Sequence, residues 1–118
     1  MAGPADKIIY HMADAATWSQ QKAAGYPGSA DDQRDGFIHF STAATVRESA
    51  AKHRTGVEGL VLLAVPVERV ADALKWEEAR GGVLFPHLFR ALHATDVESE
   101  TPLPLDGNGL HVFPEGIA

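Results

Sequence analysis

The chain has no cysteine. A disulfide framework, a thiol nucleophile and cysteine-based zinc or iron–sulfur sites are therefore excluded. Long apolar runs are missing too. The longest is Leu60-Val61-Leu62-Leu63-Ala64-Val65, far short of the roughly 20 residues a membrane helix needs. Positive charge is scarce, with 10 basic against 16 acidic residues and a net charge of −6. An acidic chain is a poor non-specific partner for nucleic acid or an anionic membrane, so neither is expected. The start, Met1 to Asp6, lacks the basic and apolar stretches of a secretory signal. The expectation is a cytoplasmic protein with no membrane partner. Phosphate-binding glycine loops, the H-E-x-x-H zinc motif, the G-x-S-x-G elbow and calcium loops do not occur.

What is present fits one folded unit. The 118 residues are 45% hydrophobic and 22% charged, which suits a single domain over 1–118 with its core at about 7–113. Lys7 to Met12 reads as a strand with Ile9 and His11 on one face. Asp14 caps a helix predicted over Ala15 to Ala24 and stopped by Gly25. Tyr26 to Gly36 reads as a long loop. Phe37 to Ser41 is a second strand, with Phe37, His39 and Ser41 on one face. A second helix runs from a Ser41 or Thr42 cap to about Arg54, with Ala43, Val46, Ala50 and His53 as its inner stripe. Leu60 to Val65 is a strand buried on both faces, and Val67 to Ala73 is a short helical turn. Further strands are predicted at Leu74 to Glu77, Val83 to Phe89, Val97 to Leu103 and Leu110 to Phe113, with a turn at Arg80-Gly81-Gly82. Two main helices among mostly consecutive strands imply an α+β domain with a mixed or largely antiparallel sheet.

The residues that carry chemistry are histidines set inside apolar strands. His11, His39 and His87 are each flanked by large hydrophobic residues. A buried imidazole needs both ring nitrogens satisfied, and a core histidine bonded to a backbone carbonyl is the plain alternative for each. Three of them in one small domain point to a cleft. His53 and His93 read as surface residues. Trp76-Glu77-Glu78 forms a second cluster, in which Glu77 faces away from the indole. Glu77 can serve as a general base, or as an exposed carboxylate paired with Arg80.

These segments resemble an uncharacterised bacterial family, the domain of unknown function 952 family. The resemblance rests on Ile9-Tyr10-His11 with Trp18, on Gly25-Tyr26, and on Asp35-Gly36-Phe37-Ile38-His39-Phe40-Ser41. It rests also on Trp76-Glu77 and Phe85-Pro86-His87-Leu88. It runs from about Lys7 to Leu103. More remotely, that family is similar to the ADP-ribosyltransferase fold, which also hosts an RNA 2′-phosphotransferase that uses NAD. The resemblance implies an ADP-ribosyltransferase-like domain that binds NAD or ADP-ribose. His11 would hold a ribose and His39 would pack against NAD, with Glu77 or His87 at the third catalytic position. The chain departs from that pattern at Met12-Ala13, where the fold has a small glycine-containing pair.

Three functions compete. The first is a nucleotide-dependent ADP-ribosyl- or phospho-transferase with His39, Glu77 and His87 as catalytic residues. Its ligand-binding residues would be His11, Tyr26, Phe37, Ser41, Trp76, Arg80 and Phe85, with the Gly81-Gly82 amides beside a pyrophosphate. The second is a metal-dependent hydrolase using the three imidazoles. No ligand-type spacing supports it, and no bound metal is expected. The third is a ligand- or partner-binding module without catalysis.

Overall fold

The computed structural model describes residues 6–117, apart from the side chain of Arg80. Its elements in chain order are β1 (Ile8–Asp14), α1 (Ala15–Gln21), α2 (Ala30–Asp35), β2 (Ile38–His39), α3 (Val46–His53), β3 (Leu60–Pro66), α4 (Val67–Val70), β4 (Leu74–Glu78), β5 (Leu84–Leu88) and β6 (Ser99–Pro102). The result is a small α+β domain. One three-stranded sheet has the order β1-β3-β6 and the other β2-β5-β4, and all named pairings are antiparallel. No helix among the described residues is long and apolar enough to cross a membrane.

The central strand β3 is buried along its whole length. By strand alternation Val61, Leu63 and Val65 enter the main core beside Ile9, Trp18, Tyr26 and Phe40. Leu60 and Leu62 enter a second core with Val46, Leu103 and Ile117. A strand covered on both faces must be apolar on both, which is why its sequence reads as a continuous hydrophobic run.

The two sheets are joined by one stretch of chain. Ile38 and His39 pair with Leu88 and His87 of β5. The Phe40 amide then donates to the Pro86 carbonyl, while Ser41 and Tyr10 of β1 exchange both backbone hydrogen bonds, at 2.7 and 2.8 Å. The second strand is therefore shorter than the expected Phe37 to Ser41, because its residues divide between two partners.

Other expectations need correction. The stretch read as a loop contains α2, closed by a capping box at Ser29 and Asp32 and ended by Gly36 in the left-handed conformation at φ 87°. α2 is thus an addition to the two main helices expected, while the one-turn α4 matches the short helical turn expected after β3. The Asp14 cap of α1 forms as expected, with the Thr17 amide donating to its carboxylate at 3.0 Å. The helix itself gives way to turns after Gln21. Helix α3 starts at Val46, not at Thr42, because Ala43 to Thr45 form a turn before it. Leu110 to Phe113 form no strand. They contribute a single bridge, His111 to Leu105, within a tail closed by turns.

Candidate functional site

Strand alternation brings His39 of β2 and His87 of β5 directly opposite each other across the antiparallel pair. Their ring centroids lie 5.4 Å apart, edge to face. β1 adds His11 from the neighbouring sheet, where the Tyr10–Ser41 bridge joins the two. All three histidines border one cleft of about 650 Å³. One wall of this cleft is α2, one is α3, and the rim is the β4–β5 hairpin near Val83 and Phe85.

Each histidine has a defined proton arrangement. His11 is buried, and its Nδ1 donates to the His39 carbonyl at 2.7 Å. Its Nε2 then accepts from the Tyr26 hydroxyl at 2.9 Å. Both ring nitrogens are engaged, which leaves neither for the ribose hydroxyl that the resemblance implies. Burial holds the His11 pKa below its ordinary value, although the Asp32 charge works the other way. Burial also drives the Tyr26 hydroxyl upward, so it remains a protonated donor.

His39 has the opposite environment. Its Nδ1 donates to Asp32 Oδ1 at 2.6 Å, and its Nε2 lies 3.3 Å from Asp35 Oδ2. The hydrogen bond to Asp32 raises its pKa, outweighing partial burial. Asp32 is itself buried, which alone would push its carboxyl up. The His39 bond, the His11 ring and the Ser29 and His39 amides together bring it below the ordinary range. Its two oxygens accept from the Ser29 amide at 2.8 Å and the His39 amide at 3.2 Å. Gly28 makes room for this carboxylate, since a Cβ there would come within 2.5 Å of the Asp32 Cβ. The charge-assisted cluster thus ties α2 to β2.

His87 is oriented by Glu77 of β4. Its Nδ1 donates to Glu77 Oε1 at 2.8 Å, and Phe37 stacks on its ring with centroids 4.1 Å apart. In the neutral ring this leaves the lone pair on Nε2, which has no protein partner among the described residues.

Of the expected site residues, His11, His39, Ser41, Phe85 and His87 border the cleft. Glu77 and Phe37 stand behind His87 and position it. Tyr26 lies in the main core beneath His11, and Trp76 packs against that core on the opposite face of β4 from Glu77. The Arg80 side chain lies outside the described residues. Among the Gly81-Gly82 amides proposed for a pyrophosphate, that of Gly82 already donates to the Ala79 carbonyl. Among the described residues no group of three His, Asp or Glu side chains is placed as metal ligands would be.

Sequence reasoning missed Asp32, the carboxylate at the centre of the cluster. The Ser29-x-x-Asp32 capping pattern was its available signal. His53, read as a surface residue, is exposed, and it borders the cleft together with Lys52 and Arg54.

The opposed shifts have a measurable consequence. His39 should titrate above about 6.5 and His11 below it, read as ring resonances by NMR. A group whose pKa rises on folding adds stability that is complete below its unfolded value. That contribution is lost as pH climbs through the folded value. The His39 contribution should therefore decline as pH rises above about 6.5, and His39→Gln should abolish that decline. The lowered His11 acts in reverse, its contribution being lost as pH falls below about 6.5. A His39 midpoint at or below the ordinary value would contradict the Asp32 pairing.

Comparison with known proteins gives a relative of established structure but no chemistry. The chain is 45% identical to protein CC0527 from Caulobacter crescentus, whose X-ray structure superposes with a TM-score of 0.84 over 89% of this chain and 93% of that one. The solution NMR structure of CC0527 gives a TM-score of 0.76 and 46% identity, over 87% of this chain and 90% of that one. No curated protein matches significantly. The family model described as "Protein of unknown function (DUF952)" matches residues 12–100, and the chain belongs to that family.

Proposed function

We propose that the cleft binds a nucleotide of the NAD or ADP-ribose class and carries out proton-transfer chemistry on it, as in an ADP-ribosyl- or phospho-transferase. The observation that carries this reading is the facing pair His39 and His87, each with its Nδ1 on a carboxylate and each bordering the same cleft. Asp32 and Asp35 favour the cationic form of His39, whose positive charge at the cleft would stabilise an oxygen that gains negative charge. His87, aimed by Glu77, offers Nε2 as the base or acid. The second reading, a binding module without turnover, draws on His11, whose two ring nitrogens are already satisfied inside the protein.

Titration with NAD and ADP-ribose, followed by NMR, should shift the rings of His39 and His87. A ligand at about 100 times its dissociation constant should add roughly 2.7 kcal/mol to stability. His87→Gln should keep binding and lose turnover of NAD to free nicotinamide. Shifts without turnover in the wild type would favour the binding module. No ring shift at millimolar nucleotide would overturn the nucleotide reading.

A further inference from the structure

The wall formed by α3 is asymmetric. Val46 and Ala50 are buried on its inner side, while Thr45, Glu48, Ser49 and Lys52, spaced three and four apart, line the cleft. Ser49 meets Ser41 there, hydroxyl to hydroxyl at 3.3 Å. His53 and Arg54 follow at the end of the helix.

The charges on the two walls differ in how they are matched. On α2, Arg34 is bound by Asp31 at 3.0 Å and by Asp35 at 3.4 Å. Asp35 also faces His39, and Asp32 is held by His39. The α2 carboxylates are therefore internally paired. On α3, neither Lys52 nor Arg54 has a side-chain hydrogen bond or ion pair among the described residues; the ion pairs of lysine and arginine involve Lys22, Arg34 and Arg90 instead. Arg54 is only partly exposed. Its charge reaches His11 at the cleft and Tyr26 in the core beneath it, opposing protonation of the one and easing ionisation of the other. Cations at a helix C-terminus offset the helix dipole, which accounts for Lys52 and His53 without any ligand. It does not account for a guanidinium at the cleft, partly withdrawn from water and without an ion pair among the described residues, in a protein of net charge −6. Glu48 is the one carboxylate on this wall, and it limits how much negative charge the wall can accept.

We infer that Arg54, assisted by Lys52 and the Ser41 and Ser49 hydroxyls, forms a phosphate subsite of the cleft. The arrangement suits a phosphate or pyrophosphate group, since the fork of arginine donors matches such oxygens and short hydroxyls complete their hydrogen bonding. The sources of that chemistry are a free inorganic anion and the phosphate of a nucleotide. The subsite rests on the proposed function only as to what is attached to the phosphate.

The test compares the wild type with Arg54→Gln and Arg54→Lys, using pyrophosphate, ADP-ribose and adenosine as probes and NMR shifts at the Arg54 Nε–H and the His39 ring as readout. Arg54→Gln should weaken pyrophosphate and ADP-ribose by at least tenfold, while Arg54→Lys should restore part of the loss. The wild-type affinity should fall with added salt more steeply than that of Arg54→Gln, which a purely structural role would not produce. Adenosine should show no dependence on residue 54. Unfolding of each variant is followed in parallel, and Arg54→Lys, which retains the charge, serves if Arg54→Gln is unstable. If Arg54→Gln binds ADP-ribose as the wild type does, the phosphate subsite is wrong and the nucleotide reading stands. If pyrophosphate binds through Arg54 but ADP-ribose and NAD do not bind, the subsite stands and the nucleotide reading fails. If no probe binds the wild type, both are overturned.

Discussion

Asp32→Ala is expected to destabilise the fold by about 2–4 kcal/mol, because it removes the buried acceptor of two backbone amides as well as the partner of the half-exposed His39 ring. The carboxylate accepts from the Ser29 amide, the His39 amide and the His39 ring, and it lies 3.9 Å from the His11 ring. Its loss removes the carboxylate half of the α2 capping box, while the Ser29 hydroxyl keeps its bond to the backbone amide of residue 32, and it leaves two backbone amides without their acceptor. For a domain of this size the melting temperature should drop by on the order of 10–20 °C. Asp32→Asn keeps the side-chain shape and one acceptor oxygen, so it should cost less while still lowering the His39 midpoint. Denaturant unfolding with ring titration separates the two effects. A loss below about 1 kcal/mol for the alanine variant would show that α2 is held by other contacts.

The same cluster changes what is expected of His39. From sequence alone, a site histidine projecting from a strand should be removable without cost to stability. The 2.6 Å bond to Asp32 argues otherwise, because His39→Ala would leave a buried carboxylate with less of its compensation. A stability loss in His39→Ala is therefore compatible with a functional role, and the His39 and His87 ring shifts on adding nucleotide decide between site and scaffold.

Leu63→Ala should cost about 2–5 kcal/mol by the large-to-small rule for buried aliphatic residues. Leu63 is fully buried on the central strand and sits opposite His11 in the β1–β3 register. Its removal opens a cavity beside the His11 ring as well as within the main core, so the ring's exchange and titration should change along with the unfolding midpoint. A loss well under 1 kcal/mol would mean that the core collapses into the space, or that β3 carries less of the packing than its burial indicates.

The sequence by itself determined the parts of this protein that depend on short-range pattern. The unbroken apolar run at β3 announced a strand covered on both faces. The alternation in β1 placed Ile9 and His11 inward, and Asp14 marked a helix start through its own side chain. The phase of β4 set Glu77 opposite in direction to Trp76. Each of these follows from the two-residue period of a strand or from a cap contacting residues three positions on.

Only the tertiary structure decided which strand neighbours which, and there the site is made. His39 and His87 are 48 residues apart in the chain, yet they become partners because β2 and β5 pair antiparallel in one particular register. The clustering of His11 with them depends on a stretch of four residues that bridges both sheets. Asp32 shows the boundary between the two kinds of information. Its capping role was written locally in Ser29 and Asp32, but its hold on His39 arises only when α2 folds back on β2. Arg54 likewise marked only the end of a helix in the sequence. It became a cation facing a cleft once the opposite wall was in place with its own charges already paired. Capping and alternation are local preferences of the backbone, whereas pairing register and charge matching depend on contacts between distant segments that local preferences do not specify.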